Sequence, residues 1–232
     1  MPITSRARWW AFAPYVLVSI VHVTALAYSN DVLDAATKIL LMPLLLGGVI
    51  VVGWGLPRPQ SAPLGILVVG LFFSWLGDEA SVFFSFAPEL PVMLAMFGVA
   101  HLAYIWLFNR HLAIRRLPWW TLVYLAWWVA VLAVLWPNLG SLALAVAAYG
   151  IVLGGTAASS ARCHPIIAIG GALFLCSDTI LAFRLFTDGM PQWTSPMVMV
   201  TYCAGQGLIA AGTLVALRLR AAAPLTPALA TT

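Results

Sequence analysis

Apolar runs of about 20 residues recur along the whole chain, separated by short breaks. As helices, such runs cross about 30 Å, the thickness of the hydrocarbon core of a bilayer. Because 63% of the 232 residues are hydrophobic and 8% are charged, the composition excludes a water-soluble globule. Eight spans are predicted, at about 9–28, 35–55, 62–86, 90–108, 117–136, 139–158, 166–186 and 196–217. The sequence therefore predicts an all-α polytopic membrane bundle of eight transmembrane helices, with a single domain at 1–220 and a flexible cytoplasmic tail at 221–232.

The charged residues in the breaks are divided between the two sides of the predicted bundle. One side carries nine arginines: Arg6, Arg8, Arg58, Arg110, Arg115, Arg116, Arg162, Arg218 and Arg220. The other side carries Asp31, Asp34, Glu89 and Asp188, with Arg184 as its nearest cation. An excess of arginine marks cytoplasmic loops, so both termini are expected in the cytoplasm, and the expected location is a bacterial inner membrane. The net charge of +4 is expected to reflect this topology, with no nucleic-acid partner.

A proline lies inside the second predicted span. Pro43 has no backbone N–H to donate, so it frees the carbonyl of Ile39 one turn earlier.

Two acidic residues stand side by side in the stretch "GLFFSWLGDEASVFFSF", residues 70–86. On a continuous helix, Asp78 shares one arc with small and polar residues, namely Gly70, Ser74, Gly77, Ser81 and Ser85. Such a stripe faces protein or a wet cavity, so Asp78 is expected to point into the bundle. Glu79 falls on the opposite arc, where pairing with a neighbouring helix is expected rather than catalysis.

A second segment repeats this pattern 100 residues later, in "GGALFLCSDTILAFRLF" at 170–186. Asp178 stands in register with Asp78, and each follows a small residue. The two segments form the third and seventh predicted helices, which run in the same direction. This arrangement favours a four-plus-four parallel internal repeat that places both carboxyl groups at similar depth.

Further polar residues fall at compatible depths in other helices, and they predict a polar pocket that opens outward. His101 and Tyr104 share a helix face, as do Tyr202 and Gln206. Each predicted pocket residue also has a purely structural interpretation: Lys38 can extend its amine to the membrane interface, and the others can be hydrogen-bonded packing residues or can tie two helices together. The predicted pocket residues are Lys38, His101, Tyr104, Tyr149, Tyr202 and Gln206.

The stretches "TKILLMPLLL", "GLFFSWLGD", "FGVAHLAYI", "AAYGIVLG", "GALFLCSDTILAFRLF" and "VTYCAGQGLI" resemble, in order and across most of the chain, the YhhN-like family of lysoplasmalogenases. The resemblance implies an eight-helix membrane hydrolase that cleaves the vinyl ether bond of lysoplasmalogens to a fatty aldehyde and a glycerophospho-alcohol. By matched motif, it implies Asp78 and Asp178 as catalytic residues and the other predicted pocket residues as substrate-binding. The family pattern has an apolar or small residue where this chain has Glu79.

Two carboxyl groups suit this chemistry, since one can donate a proton while the other stabilises a cation and activates water. Lys38, with Arg184 at the outer edge, is expected to hold the phosphate of a lysophospholipid substrate. No metal or cofactor is expected, although the two aspartates with His101 leave a metal site as a second interpretation. Two other functions remain open from the residues alone, a proton- or solute-coupled transporter and a noncatalytic lipid-binding protein. The oligomeric state is also left open.

Overall fold

The computed structural model describes residues 5–57 and 60–222, and all regular structure in this part of the chain is helical. Eight of its helical segments are long and apolar enough to cross a membrane, which confirms the predicted fold class. They are α1 (Arg8–Ala27), α2 (Asp31–Gly53), α3 (Ser61–Asp78), α4 (Glu89–Leu112), α5 (Trp119–Asn138), α6 (Gly140–Ser160), α7 (Pro165–Phe186) and α8 (Thr194–Ala222).

The third helix is shorter than predicted. Instead of running to residue 86, α3 ends at Asp78, and only a short helical turn, Ala80–Phe83, follows before α4. The run "SVFFSFA" is apolar, and its residue types also occur inside α3, so its composition does not mark the end of the helix; Pro88 restricts the backbone before α4. Ser81 and Ser85 therefore leave the arc of Asp78 and are exposed.

Arginine side chains cluster at one end of the bundle, where they cap carbonyl groups of neighbouring segments. Arg218 donates to the carbonyl of Val52, and Arg115 donates to the carbonyl of Ala161. Arg58 and most of the predicted tail lie outside the described residues, and α8 itself continues through 221 and 222. We call this the arginine end and the opposite one the acidic end, where α2 and α4 begin and α3 and α7 finish.

The last helix forms the centre of the bundle. α8 is the most buried of the eight helices and packs against α1, α2, α3 and α7. Its crossing with α7 is close because glycines face each other: a Cβ built on Gly205 would lie 2.9 Å from the backbone nitrogen of Phe174 and 3.1 Å from the carbonyl oxygen of Gly170. By contrast, α5 is the least buried helix and packs mainly on α6.

Pro43 lies inside α2, as the sequence indicates. The carbonyl that it frees, on Ile39, accepts a hydrogen bond of 3.1 Å from the indole N–H of Trp75 in α3. A backbone acceptor that would otherwise be unpaired in an apolar environment is thus satisfied by a neighbouring helix.

Candidate functional site

A cavity of about 290 Å³ opens among α2 to α8 in the half of the bundle nearer the acidic end. Most of its wall is apolar, and α5 supplies five of the apolar lining residues: Trp127, Trp128, Val131, Leu132 and Leu135. The polar part of the wall is small. It consists of Lys38, Asp78, Glu89, Tyr149, Ser177, Asp178, Thr179 and Tyr202.

Two tryptophans hold α5 in place beside this cavity. The indole N–H of Trp127 donates to the hydroxyl of Thr179 in α7, and that of Trp128 donates to the carbonyl of Ala147 in α6, both at 3.0 Å. Gly150 makes room for Trp128, since a Cβ there would lie 2.7 Å from the indole ring. The α5 wall is therefore positioned by a few polar ties rather than by a broad interface.

Asp78 is the last residue of α3 and points at α8. The hydroxyl of Tyr202 donates to its Oδ2 atom at 2.7 Å. Gln206, one turn further along α8, accepts from the hydroxyl of Tyr104 at 2.8 Å and donates to the hydroxyl of Ser74 at 2.9 Å. One carboxyl group is thereby tied to α8, which is in turn bonded to α3 and α4.

Asp178 lies in the middle of α7 and has a matching arrangement. The hydroxyl of Tyr149 in α6 donates to its Oδ2 atom. Nε2 of His101 lies 3.1 Å from the same tyrosine oxygen, while Nδ1 lies 3.1 Å from the hydroxyl oxygen of Thr156. Because the tyrosine proton is directed at the carboxylate, the tyrosine oxygen is left to accept from an Nε2–H of the histidine.

The two carboxyl groups line the same cavity and are near enough for their charges to interact. The fourth helix of each half of the chain reaches the aspartate of the other half. Tyr202 of α8 bonds Asp78, and Nε2 of His101 in α4 lies 3.8 Å from Oδ2 of Asp178. The halves differ in one respect, since α3 stops at its aspartate while α7 continues for eight more residues to Phe186. The four-plus-four repeat itself stays a prediction.

Lys38 is the cation of the cavity wall, and its charge acts on both Asp78 and Glu79. Glu79 is 4% exposed, and its Oε1 atom has no hydrogen-bond partner among the described residues. No cation of the described chain lies within ion-pair distance of it, so the expected pairing with a neighbouring helix is not present there as an ion pair. Burial raises the pKa of Glu79; the nearby Lys38 charge opposes this, and Asp34 adds to it.

Three predicted pocket residues, His101, Tyr104 and Gln206, lie behind the cavity wall. The cavity face of α4 runs through Leu90, Met93, Leu94 and Phe97, and the next positions on that face are His101 and Tyr104. Phe97 packs edge to face against Tyr202, with ring centroids 6.0 Å apart, and closes the cavity above them. His101 and Tyr104 thus lie on the cavity face of α4 but one and two turns below Phe97, and they do not line the cavity.

Arg184 also lies away from the cavity. Seven residues of α7 line the cavity, and Arg184 is not among them: Ser177, Asp178, Thr179, Leu181, Ala182, Leu185 and Phe186. Its guanidinium instead donates to the hydroxyl of Thr194 and binds the loop before α8. The expected phosphate contact of Arg184 is therefore not supported by its position.

Sequence reasoning passed over several residues of the wall. Trp127, Trp128 and Phe97 carry no signal of their own in the sequence, because hydropathy does not distinguish a cavity face from a lipid face. Glu89 does carry a signal in the sequence, since it is an acid at the start of the span that follows the one ending in Asp78. Within the described ranges, no three His, Cys, Asp or Glu side chains are grouped closely enough to hold a metal ion.

Replacing Glu79 with glutamine is expected to reduce the pH dependence of stability. A carboxyl group whose pKa is raised by folding contributes stability that is fully present below its unfolded pKa of about 4.3 and is lost as the pH rises through the folded value. Wild-type protein should therefore lose more thermal stability between pH 5 and pH 8 than Glu79→Gln does. Thermal unfolding in detergent at both pH values measures the difference, and equal slopes would show that Glu79 has the same pKa in both states.

Comparison of the sequence with models of known protein families shows which family the chain belongs to. The model of the YhhN family matches residues 33–213, which is more than three quarters of the chain and includes both aspartates. No curated protein and no solved structure gave a significant match. From the extent of the family match, the chain belongs to the YhhN family.

Proposed function

We propose that this protein is a membrane hydrolase that cleaves the vinyl ether bond of lysoplasmalogens, releasing a fatty aldehyde and a glycerophospho-alcohol. The observation that carries the proposal is that Asp78 and Asp178, from separate helices, line one largely apolar cavity. Membership of the YhhN family is consistent with a hydrolase and with this substrate class.

The composition of the cavity suits a lipid with a single hydrocarbon chain. The chain can lie against the apolar α5 side, while the glycerol and phosphate meet the small polar part of the wall that contains both carboxyl groups. Lys38 is the cation available there for the phosphate. A buried carboxyl group is costly in a membrane helix, so such groups are rare there and are found mainly at functional sites inside the bundle.

The reaction needs one proton donor and one carboxylate. A protonated aspartate transfers its proton to the β-carbon of the vinyl ether, and the adjacent carbon becomes an oxocarbenium ion. The carboxylate of the other aspartate stabilises this cation and accepts a proton from the water that attacks it, giving a hemiacetal. As the hemiacetal breaks its carbon–oxygen bond, the aspartate that took the proton from water donates it to the leaving oxygen, and the aspartate that gave the first proton takes the hemiacetal hydroxyl proton. Both carboxyl groups thereby return to their starting states, and the net change is the addition of one water to give aldehyde and alcohol. Asp78 and Asp178 divide these two roles.

The tyrosines that bond the aspartates act as positioning residues. Tyr202→Phe removes the hydroxyl that donates to Asp78, and a hydrogen bond to a charged group contributes about 1.5–3 kcal/mol. We expect kcat for aldehyde release to fall about tenfold or more, and Tyr149→Phe to behave similarly. Tyr28→Phe is the matched control, because Tyr28 is largely exposed at the end of α1. Unchanged kcat in both cavity variants would remove the tyrosines from the mechanism.

The decisive experiment incubates the purified full-length protein in detergent with lysoplasmenyl-ethanolamine and measures released aldehyde. The 1-O-alkyl analogue, which lacks the vinyl double bond, should release none. Aldehyde formation from the first lipid only supports the proposal. Proton or solute flux in sealed vesicles without hydrolysis of the lipid would instead identify a transporter.

A further inference from the structure

Glu89 is an acidic residue of the cavity wall that the proposed chemistry does not use. It is the first residue of α4, at the acidic end of the bundle, and its side chain is exposed at the rim of the cavity. An acid in the first turn of a helix is favourable for the helix dipole, but that role does not require it to face a cavity. Binding of a ligand would explain why this carboxyl group faces the cavity.

The charges of the cavity wall favour a ligand that carries a positive group. Lys38 is its one basic residue within the described chain, whereas Asp78, Asp178 and Glu89 are acidic. A lipid whose head group ends in a second negative or neutral group would meet this excess of carboxyl groups without compensation. A zwitterionic head group can place its phosphate near Lys38 and its ammonium group near the carboxylate of Glu89.

The separation of the rim from the aspartates matches the length of such a substrate. A Cβ built on Gly77, the neighbour of Asp78, would lie 2.6 Å from the ring of Phe97, and Glu89 lies eight residues before Phe97 on α4. The rim at Glu89 therefore stands about 12 Å above the level of Asp78. In an extended lysoplasmenyl-ethanolamine, about ten bonds join the vinyl ether carbon to the amine nitrogen, which at about 1.2 Å per bond is about 12 Å. The amine therefore reaches the rim when the vinyl ether is at the aspartates.

We infer that Glu89 binds the ammonium group of the substrate head and is a specificity-determining residue for amine-bearing lysolipids. This inference rests on the proposed function. A carboxylate accepts hydrogen bonds from an ethanolamine ammonium and attracts the quaternary ammonium of choline by charge alone, so Glu89 discriminates both from a phosphoglycerol head group.

The test compares kcat/KM for lysoplasmenyl-ethanolamine, -choline and -glycerol in wild type, Glu89→Gln and Glu89→Lys. We expect Glu89→Gln to lower the ethanolamine-to-glycerol ratio about tenfold, the effect of one charge-assisted hydrogen bond, and Glu89→Lys to favour phosphoglycerol. The choline-to-glycerol ratio should fall in the same direction. Asp31→Asn is the matched control, since Asp31 is exposed at the same end of the bundle but does not line the cavity.

Ratios that stay unchanged in both Glu89 variants would overturn the inference, as would an equal change in Asp31→Asn, which would indicate general surface attraction. If no lipid releases aldehyde, the proposed function fails, and equilibrium binding of the non-cleavable 1-O-alkyl analogues with the same three head groups provides the test. A Glu89-dependent preference in binding would then support the amine site without the hydrolase. Equal binding in wild type and the variants would overturn it.

Discussion

Asp178→Asn and Asp78→Asn are each expected to lower aldehyde release from lysoplasmenyl-ethanolamine more than about 100-fold. Asparagine keeps the size of the side chain but can neither donate an acidic proton nor carry the negative charge, and general acid–base groups contribute about 10²–10⁴-fold. Both residues line the cavity, and each accepts from one tyrosine, so both variants keep the shape of the site. The measurement is single-turnover aldehyde release by purified protein.

Asp188→Asn serves as the control for this pair, because Asp188 lies exposed in the loop after α7 and outside the cavity. It should keep wild-type activity. Full activity of either cavity variant would remove that aspartate from the mechanism. Loss of activity together with a lowered unfolding temperature would have to be corrected for the folded fraction before it counts for catalysis.

The second large effect is expected at the crossing of α7 and α8. Gly205→Leu forces a side chain into a space where a Cβ would already lie 2.9 Å from the nitrogen of Phe174. The neighbouring atoms are backbone, so the helices themselves must separate, and overpacking of this kind costs about 3 kcal/mol or more. We expect the unfolding temperature in detergent to fall by about 10 °C.

A matched glycine variant shows whether this effect comes from the crossing. Gly65→Leu changes the same residue type inside α3, where no atom lies within 4 Å of a built Cβ. Its unfolding temperature should equal or exceed that of wild type, since leucine is the better helix former by about 0.8 kcal/mol. Equal losses at both positions would show that helix separation is not the cause.

The spans and the inward direction of the two aspartates could be predicted because both follow from the membrane as solvent. A helix that crosses the membrane must stay apolar for about 20 residues, which gives the spans. A carboxyl group must avoid lipid, so the small and polar residues on the same side of the helix show that this side faces the bundle. The end of α3 at Asp78 could not be predicted in this way. Hydropathy reports compatibility with lipid, and the residues after Asp78 remain apolar although the helix has stopped.

Depth within the bundle was the second quantity that the residues alone did not provide. Helical spacing gave the correct face for His101 and Tyr104, but the floor of the cavity depends on the packing of Phe97 from α4 against Tyr202 from α8. That contact joins helices that are far apart in sequence. Arg184 lies at the depth of the cavity, but its guanidinium is bonded to Thr194, a tertiary contact that helical spacing does not report.

The hydrogen bond between Ile39 and Trp75 links the two turns that carry Lys38 and Asp78. Ile39 directly follows Lys38, and Trp75 lies three residues, or about one helical turn, before Asp78. The bond exists because Pro43 leaves the carbonyl open. Through this bond, Pro43 couples the turn of α2 that carries the lysine to the turn of α3 that carries the aspartate.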